Sequence, residues 1–231
     1  MTLHHLIKDL QRATSGKKAK SYKKFFNEEY TDKHDRFIGV SLPDQRIIAK
    51  RHPEVTFQDL QKLLNSDIHE HRMIAGIILT KNFQENPQEE LVHFYLKNLK
   101  RFNNWDLIDN TAPKILGIYL LKKKNRILLY DLSNSKNLWE RRAAIVSTYP
   151  LIKNNEFKDT LKLSKKLMKD KHHLTHKAVG WMLREVGKKD KKILLNFLKK
   201  NYKVLPRITL RYAIERFPEG ERKEILKGEF K

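Results

Sequence analysis

A short motif of small and aliphatic residues returns at a constant interval along this chain. Its copies span residues 72–75, 107–110, 142–145, 177–180 and 212–215, so each begins 35 residues after the previous one. Between them lie stretches with apolar residues three and four apart, at about 88–100, 125–133, 156–169 and 189–200. Two amphipathic helices per unit, repeated without gaps, predict an all-α fold, an α-solenoid of HEAT or armadillo type.

The same pattern predicts the organisation of the whole chain. We expect one domain over residues 1–231, with N-terminal helices and a capping unit in 1–53 and repeats of about 35 residues in 54–231. Helices are predicted at 3–13 and 17–26, another begins near Pro43, and Thr56 with Asp59 caps the next. We expect a right-handed superhelix whose concave face is basic and presents side chains to a long partner.

One position of the repeat breaks the pattern. In the five copies the third residue is Ile74, Asp109, Ala144, Val179 and Ile214. A carboxylate in an otherwise apolar column costs free energy if it is buried without partners, so Asp109 is a candidate functional residue. Trp105 lies four residues earlier, on the same face of a helix. The alternative is structural: Asn104 or Asp106 caps this helix, the helix dipole favours Asp109, and Trp105 belongs to the core.

The charge of the chain indicates a polyanionic partner. Lys and Arg number 49 and Asp and Glu number 27, which gives a net charge of +22. Such a charge favours DNA, RNA or an anionic membrane surface. Basic residues recur along the repeats and are expected to face that partner: Arg72, Arg141, Arg142, Lys177 and Arg211. Lysine runs such as 122–124 and 188–192 are instead expected to be solvated surface.

Composition also argues against several kinds of chemistry. The chain has no cysteine, which removes disulfides, thiolate nucleophiles and cysteine-ligated zinc. No apolar run is long enough to span a membrane, and the N-terminus lacks the features of a signal peptide. The histidines have no carboxylates at ligand spacing, so we expect no metal and no cofactor. We expect an intracellular, cytoplasmic protein, associated with the nucleoid if it is bacterial.

An ordered set of motifs resembles one protein family over nearly the whole chain. The motifs are Asn-Trp-Asp-Leu-Ile-Asp at 104–109, Ile-Leu-Gly at 115–117, Leu-Trp-Glu-Arg-Arg-Ala-Ala-Ile at 138–145 and His-Lys-Ala-Val-Gly-Trp-Met-Leu-Arg-Glu at 176–185. Nearer the N-terminus they are Lys-Phe-Phe at 24–26, Glu-Tyr at 29–30 and Asp-Arg-Phe-Ile-Gly-Val-Ser-Leu-Pro at 35–43. Together they resemble the DNA alkylation repair enzymes of the AlkD-like HEAT-repeat type.

The resemblance implies a function and a set of roles. Members of that family are DNA glycosylases that remove cationic alkylated purines, chiefly 3-methyladenine and 7-methylguanine, without flipping the base into a pocket. By this resemblance Trp105, Asp109 and Trp181 surround the deoxyribose of the lesion, and Arg142 holds the DNA backbone nearby. Tyr30, Phe37 and Ser41 are expected to line the DNA-facing cleft. The implied partner is alkylated double-stranded DNA, bound by a monomer.

The residues themselves are suited to this chemistry. A purine that carries a positive charge leaves readily, so a strong general acid is not required. Positive charge builds on the sugar as the bond breaks, and an ionised Asp109 can stabilise that charge or activate a water molecule. Indole faces suit the same cation. Monofunctional hydrolysis is the simplest outcome, although the many lysines leave lyase chemistry open.

Other interpretations stay open at this stage. Trp181 lies in an apolar window and is equally a core residue, Trp139 is expected to be structural, and Arg142 can pair with Glu140. For function, the alternatives are a non-catalytic nucleic-acid-binding solenoid and a protein-interaction scaffold. Base release from methylated DNA distinguishes the glycosylase from both alternatives. Salt-sensitive DNA binding distinguishes the nucleic-acid-binding solenoid from the protein-interaction scaffold.

Overall fold

The computed structural model describes residues 2–26 and 35–230 and shows an all-helical protein. The all-α prediction is therefore confirmed for this part of the chain. Within the same residues no β-strand forms, and one isolated parallel bridge joins Arg36 to Ile68. The described helices include none that is both long and apolar enough to cross a lipid bilayer.

The chain divides into two compact units, residues 1–111 and 112–231. The first unit contains helices α1 (Thr2–Arg12), α2 (Gly16–Phe25), α3 (Leu42–Arg51), α4 (Phe57–Leu64), α5 (His69–Glu85), α6 (Glu89–Lys97) and α7 (Trp105–Thr111), with a 3₁₀ turn at Leu99–Arg101. Helix α5 is central to this unit, because α3, α4, α6 and α7 all pack against it. The expected organisation, a single domain with repeats from residue 54, stays a prediction.

The second unit begins with a π-helical turn at Pro113–Gly117. It continues with α8 (Ile118–Leu121), α9 (Ile127–Ser133), α10 (Leu138–Val146), α11 (Tyr149–Lys153), α12 (Lys158–Leu167), α13 (His173–Lys189), α14 (Lys191–Asn201), α15 (Arg207–Ala213) and α16 (Glu219–Lys227). Here α13 is central, with α10, α12, α14 and α15 packed against it. The second helices expected at 125–133, 156–169 and 189–200 are present as α9, α12 and α14.

Local sequence signals explain where the first helices start. Ser15 caps α2 by accepting a hydrogen bond from the Lys18 amide. Pro43 lies in the first turn of α3, where its missing N–H is not needed. Thr56 and Asp59 form the predicted capping box at the start of α4.

The repeated columns form the interior of both units. Met73, Ile108, Ala143, Ala178 and Ala213 are all buried, and so are Ile74, Ala144, Val179 and Ile214. Asp109 is the exception in its column, because it is half-buried rather than enclosed. The periodicity therefore predicted the packing face of each helix, and the one acidic residue lies at the edge of that face.

Gly180 lets α13 and α15 approach more closely than any side chain would allow. A Cβ atom at this position would lie 2.5 Å from the Tyr212 Cβ and 2.7 Å from the Thr209 carbonyl oxygen. We expect Gly180→Ala to lower the free energy of unfolding by about 1–3 kcal/mol, because backbone atoms must move to admit the methyl group. Urea denaturation measures the change.

Gly220 provides the matched control for that substitution. It lies in α16, and a Cβ atom there would meet nothing within 4 Å. Gly220→Ala should therefore leave the free energy of unfolding unchanged or raise it by at most about 1 kcal/mol. Equal effects of the two substitutions would show that the α13–α15 contact is not limited by residue size.

Candidate functional site

Helix α7 carries Trp105 in its first turn and Asp109 one turn later. Their spacing of four residues places both side chains on the same face of the helix, and both are half-buried. The Asn104 side chain accepts a hydrogen bond from the Trp105 amide at 2.7 Å, so part of the structural alternative is also observed. Neither Trp105 nor Asp109 belongs to the fully enclosed core, which leaves both able to meet a ligand.

The charge of Asp109 acts on a buried neighbour. The hydroxyl groups of Tyr95 and Thr111 share a hydrogen bond of 2.8 Å in the interior of the first unit. Burial raises the pKa of Tyr95 well above its ordinary value, and the negative charge of Asp109 adds to the rise. Tyr95 therefore stays a neutral phenol next to the carboxylate.

An aromatic cluster, consisting of Phe25, Phe26, Phe37, His69 and Trp105, surrounds the start of α7. Phe26 is central: its ring stacks on Phe37 at 5.2 Å and lies 5.6 Å from Trp105 and 5.1 Å from His69. Phe25 meets the edge of Trp105 at 5.9 Å. Offset and edge-on ring contacts of this kind each stabilise by about 0.5–1.5 kcal/mol beyond their buried area. The indole of Trp105 is therefore held by the Phe25 and Phe26 rings at the end of α2, and Phe37 packs against Phe26 in turn.

Beneath these rings lies a buried ionic cluster, formed by Asp35, His69, Arg72 and Asp106. The His69 Nε2 atom is 2.9 Å from the Asp106 carboxylate, and its Nδ1 atom is 3.7 Å from Asp35. Arg72 pairs with Asp35 and donates to the Ser66 carbonyl at 2.7 Å. Two potential cations thus face two carboxylates. Their charges compensate one another at a place where little solvent is available to do so.

The ionic cluster keeps His69 protonated at neutral pH. Burial opposes the charged form, but the Asp106 carboxylate, with help from Asp35, raises the pKa of His69 to about 9. The protonated ring donates to Asp106, which lies on the first turn of α7 next to Trp105. This ion pair joins α5 to α7 and fixes the position of the helix that carries the candidate residues.

The segment before α3 is held by a further buried carboxylate, that of Glu70. Glu70 accepts hydrogen bonds from the Ile38 amide at 3.1 Å and the Gly39 amide at 2.8 Å. Gly39 has φ +78°, and a Cβ atom there would lie 2.1 Å from the Ser15 carbonyl oxygen. Only glycine fits this left-handed, crowded position, which lets the segment pass under the start of α2.

Two of the expected DNA-contacting residues have structural partners in the first unit. The Arg72 guanidinium is enclosed, with 2% of the residue exposed, and it offsets the charge of Asp35. Its expected contact with DNA stays a prediction, and the structure shows that this side chain is enclosed and already paired. Ser41 caps α3 and bonds to Asp44, which accounts for its position without a ligand.

The remaining expected residues lie in the second unit. Arg141 forms a bidentate pair with Asp170, at 2.5 and 3.2 Å, and lowers the pKa of that carboxyl even though burial opposes the ionised form. Arg142 is 5% exposed and donates to the Leu174 carbonyl at 2.6 Å. Lys177 and Trp181 are half-buried, Trp181 lies 6.2 Å from Tyr149, and Arg211 is exposed. Lys177 and Arg211 are therefore the members of this series best placed to meet a polyanion.

Three further expectations concern Tyr30, Trp139 and metal binding. Tyr30 lies outside the described residues. Trp139 is buried, with 6% of the residue exposed, which confirms its structural role. Among the residues that the structure describes, no group of three potential metal ligands comes together.

The comparisons with known proteins identify the family of the chain. The sequence profile of the DNA alkylation repair enzymes matches residues 6–217. This chain belongs to that family. Membership confirms the resemblance found in the motifs and indicates DNA as the partner of this DNA alkylation repair protein.

A solved structure shares the fold of this family member. It is described as a predicted DNA alkylation repair enzyme from Enterococcus faecalis, and it matches with a TM-score of 0.72 over 89% of this chain and 97% of that chain. The two sequences are 17% identical, so this similarity extends to the fold alone. A search of curated proteins found no match.

Sequence reasoning missed most of what surrounds Trp105. The ionic cluster joins residues that are far apart in the chain, and no short sequence motif predicts it. The sequence presents the histidines only as possible metal ligands and Asp106 only as a helix cap. The Lys-Phe-Phe motif at 24–26 was the available signal, since two adjacent phenylalanines at the end of a basic helix require an explanation.

Proposed function

We propose that this protein is a DNA glycosylase of base excision repair, which hydrolyses the N-glycosidic bond of cationic alkylated purines in duplex DNA. The substrates would include 3-methyladenine and 7-methylguanine. One observation carries the proposal: Asp109 is the half-buried carboxylate in a repeat column that is otherwise apolar and buried, on the same helix face as Trp105. Family membership in DNA alkylation repair supports it.

The proposed chemistry requires little from the protein. Alkylation already makes the purine a good leaving group, so the barrier lies in the positive charge that develops on the deoxyribose. Asp109 would stabilise that charge and orient or deprotonate the attacking water molecule. The Trp105 indole would lie beside the same cation and exclude bulk solvent. Trp181 and Arg142 keep, as proposals, the lesion- and backbone-contacting roles that the resemblance implies. Lys177 and Arg211 keep the DNA-contacting role that the repeated basic residues predict.

The ionic cluster gives this proposal a structural basis in the first unit. Asp106 anchors the first turn of α7 to the protonated His69, and the aromatic cluster fixes the Trp105 ring. A catalytic carboxylate is effective when it is held in place before the charge develops, because no reorganisation is then needed during the reaction. We infer that α7 is held in this way. No base flipping is proposed, since the resemblance implies a lesion that stays stacked.

Base release by the wild-type protein tests the proposal. Duplex DNA treated with a methylating agent should yield free 7-methylguanine and 3-methyladenine, and the strands should remain uncut until alkali opens the abasic sites. Unmethylated duplex is the control and should yield no free base. Strand cleavage without alkali would contradict monofunctional hydrolysis, and the absence of base release would contradict the glycosylase itself.

A second function is favoured by the net charge of +22. A non-catalytic DNA-binding protein with the same fold would bind duplex DNA with strong salt dependence and equal affinity for intact and methylated strands. The base-release assay separates the two functions, because only the enzyme liberates purines.

A further inference from the structure

Helix α2 presents a dense basic surface. It contains lysines at positions 17, 18, 20, 23 and 24 and no acidic residue, and all five lysines are exposed. No residue of the helix is buried. A helix with this composition gains little from packing, so its sequence is better explained by a partner than by the core.

The position of α2 is nevertheless well determined at both ends. At its start, the Ser15 amide donates to the Ile38 carbonyl at 3.1 Å, and the Gly39 backbone lies directly against this turn. At its end, Phe26 is 8% exposed and stacks on Phe37. The lysines therefore project from a fixed helix, not from a loose tail.

Phe25 connects this basic surface to the candidate site. Its side chain is 66% exposed, although it is a large apolar group, and its ring meets Trp105 edge-on at 5.9 Å. The adjacent Phe26 supports the same ring at 5.4 Å. An exposed aromatic ring that is held by two others, beside cations, is suited to contact a partner, here the sugar edge of a bound duplex.

We propose that α2 and Phe25 form a DNA-binding surface of the first unit. The lysines bind backbone phosphates next to the lesion, and the Phe25 ring extends the aromatic surface of Trp105 onto the sugar. The occupant is duplex DNA, because a regular row of cations on one helix complements a regular row of phosphates. The position of this surface next to the lesion rests on the proposed function. Its binding to DNA does not, and can be measured without catalysis.

Three lysines on one face of α2 test the electrostatic part. The triple variant Lys17→Gln, Lys20→Gln, Lys24→Gln removes charges spaced by three and four residues. We expect its affinity for an intact 20-base-pair duplex, measured by fluorescence anisotropy, to fall at least tenfold. The slope of log K against log salt should become shallower by about 2–3 units, since each phosphate contact contributes about 0.9.

The matched control lies on α12. Lys158→Gln, Lys162→Gln, Lys165→Gln removes the same number of exposed charges at the same spacing from one face of a helix in the second unit. Its affinity should change less than threefold and its salt slope by less than one unit. Equal losses in the two triple variants would overturn the proposal, because net charge alone would then explain them.

Two substitutions test whether the aromatic ring of Phe25, and not only its apolar bulk, contributes to binding. Phe25→Leu keeps an apolar side chain without a π-face, whereas Phe25→Tyr keeps the face. Against a duplex with one tetrahydrofuran abasic site, Phe25→Leu should bind about tenfold more weakly than wild type, and Phe25→Tyr within twofold of it. A Phe25→Leu variant that binds as tightly as wild type would overturn the proposed contact between the Phe25 ring and the sugar.

These binding measurements stay decisive even if the glycosylase proposal fails. A wild-type protein that releases no base but loses duplex affinity in the α2 variants would contradict the proposed function and support the surface. Binding to vesicles of phosphatidylglycerol that depends on the α2 lysines, with duplex binding unaffected by them, would overturn the choice of DNA as the occupant.

Discussion

Asp109→Asn is expected to lower the rate of 7-methylguanine release from methylated duplex by about 100- to 1,000-fold. The substitution keeps the size and shape of the side chain but removes the negative charge that would face the developing sugar cation. Losses of this size follow when one preorganised electrostatic group is removed from an active site. Single-turnover release, with protein in excess over lesions, measures the chemical step without product release.

The controls for this experiment separate catalysis from binding and folding. Asp131→Asn removes an exposed carboxylate from α9 and should release base at the wild-type rate. Asp109→Asn should bind the methylated duplex as tightly as wild type, or more tightly, since the substitution removes a negative charge from the surface that is proposed to face DNA. Full base release by Asp109→Asn would exclude the catalytic role, whatever its affinity for DNA.

His69→Gln is expected to lower the free energy of unfolding by about 3–5 kcal/mol at pH 6, because it leaves the enclosed Asp35 and the half-buried Asp106 carboxylates with less compensating charge. His71→Gln is the matched control on the same helix. His71 is bonded to the Ser66 hydroxyl at 3.0 Å and has no carboxylate in that contact, so its loss should cost about 1 kcal/mol. Urea denaturation followed by circular dichroism measures both changes.

The pH dependence of the same variant provides an independent check. The pKa of His69 is raised from 6.5 to about 9 in the folded protein. The folded state therefore holds a proton that the unfolded state releases, and the resulting stability is fully present below about pH 6.5 and lost as the pH rises through 9. Between pH 6 and pH 10 wild type should lose about 3 kcal/mol more than His69→Gln. Parallel pH profiles for the two proteins would contradict the buried ion pair.

The repeated helices could be predicted because their signal is periodic. Each unit must bury one face, so Ala143, Ala178 and Ala213 return at the same phase and are all buried in the structure. A periodic signal reports the direction of a side chain relative to its own helix. It cannot report which distant residues meet there, and this limits what the sequence reveals about the site.

Arg72 illustrates that limit. In the sequence it is one more cation in a basic chain, and its place in the repeat suggested a contact with a partner. In the structure its charge is matched by Asp35, which is 37 residues away. The contact between Phe25 and Trp105 spans 80 positions of the chain and was equally invisible. Asp109 could be singled out because it violated a local pattern, whereas residues that obey such patterns carry no comparable mark.

The two sets of charges in the first unit should respond differently to ionic strength. Mobile ions weaken attractions between solvated groups, as on α2, but they screen much less the largely buried ionic cluster, where two carboxylates face His69 and Arg72. Concentrated salt should consequently strip the protein from nucleic acid while the geometry around Trp105 survives. After a high-salt wash that removes nucleic acid, the protein should recover its full function on dilution. The reason is that the ionic cluster stays intact during the wash.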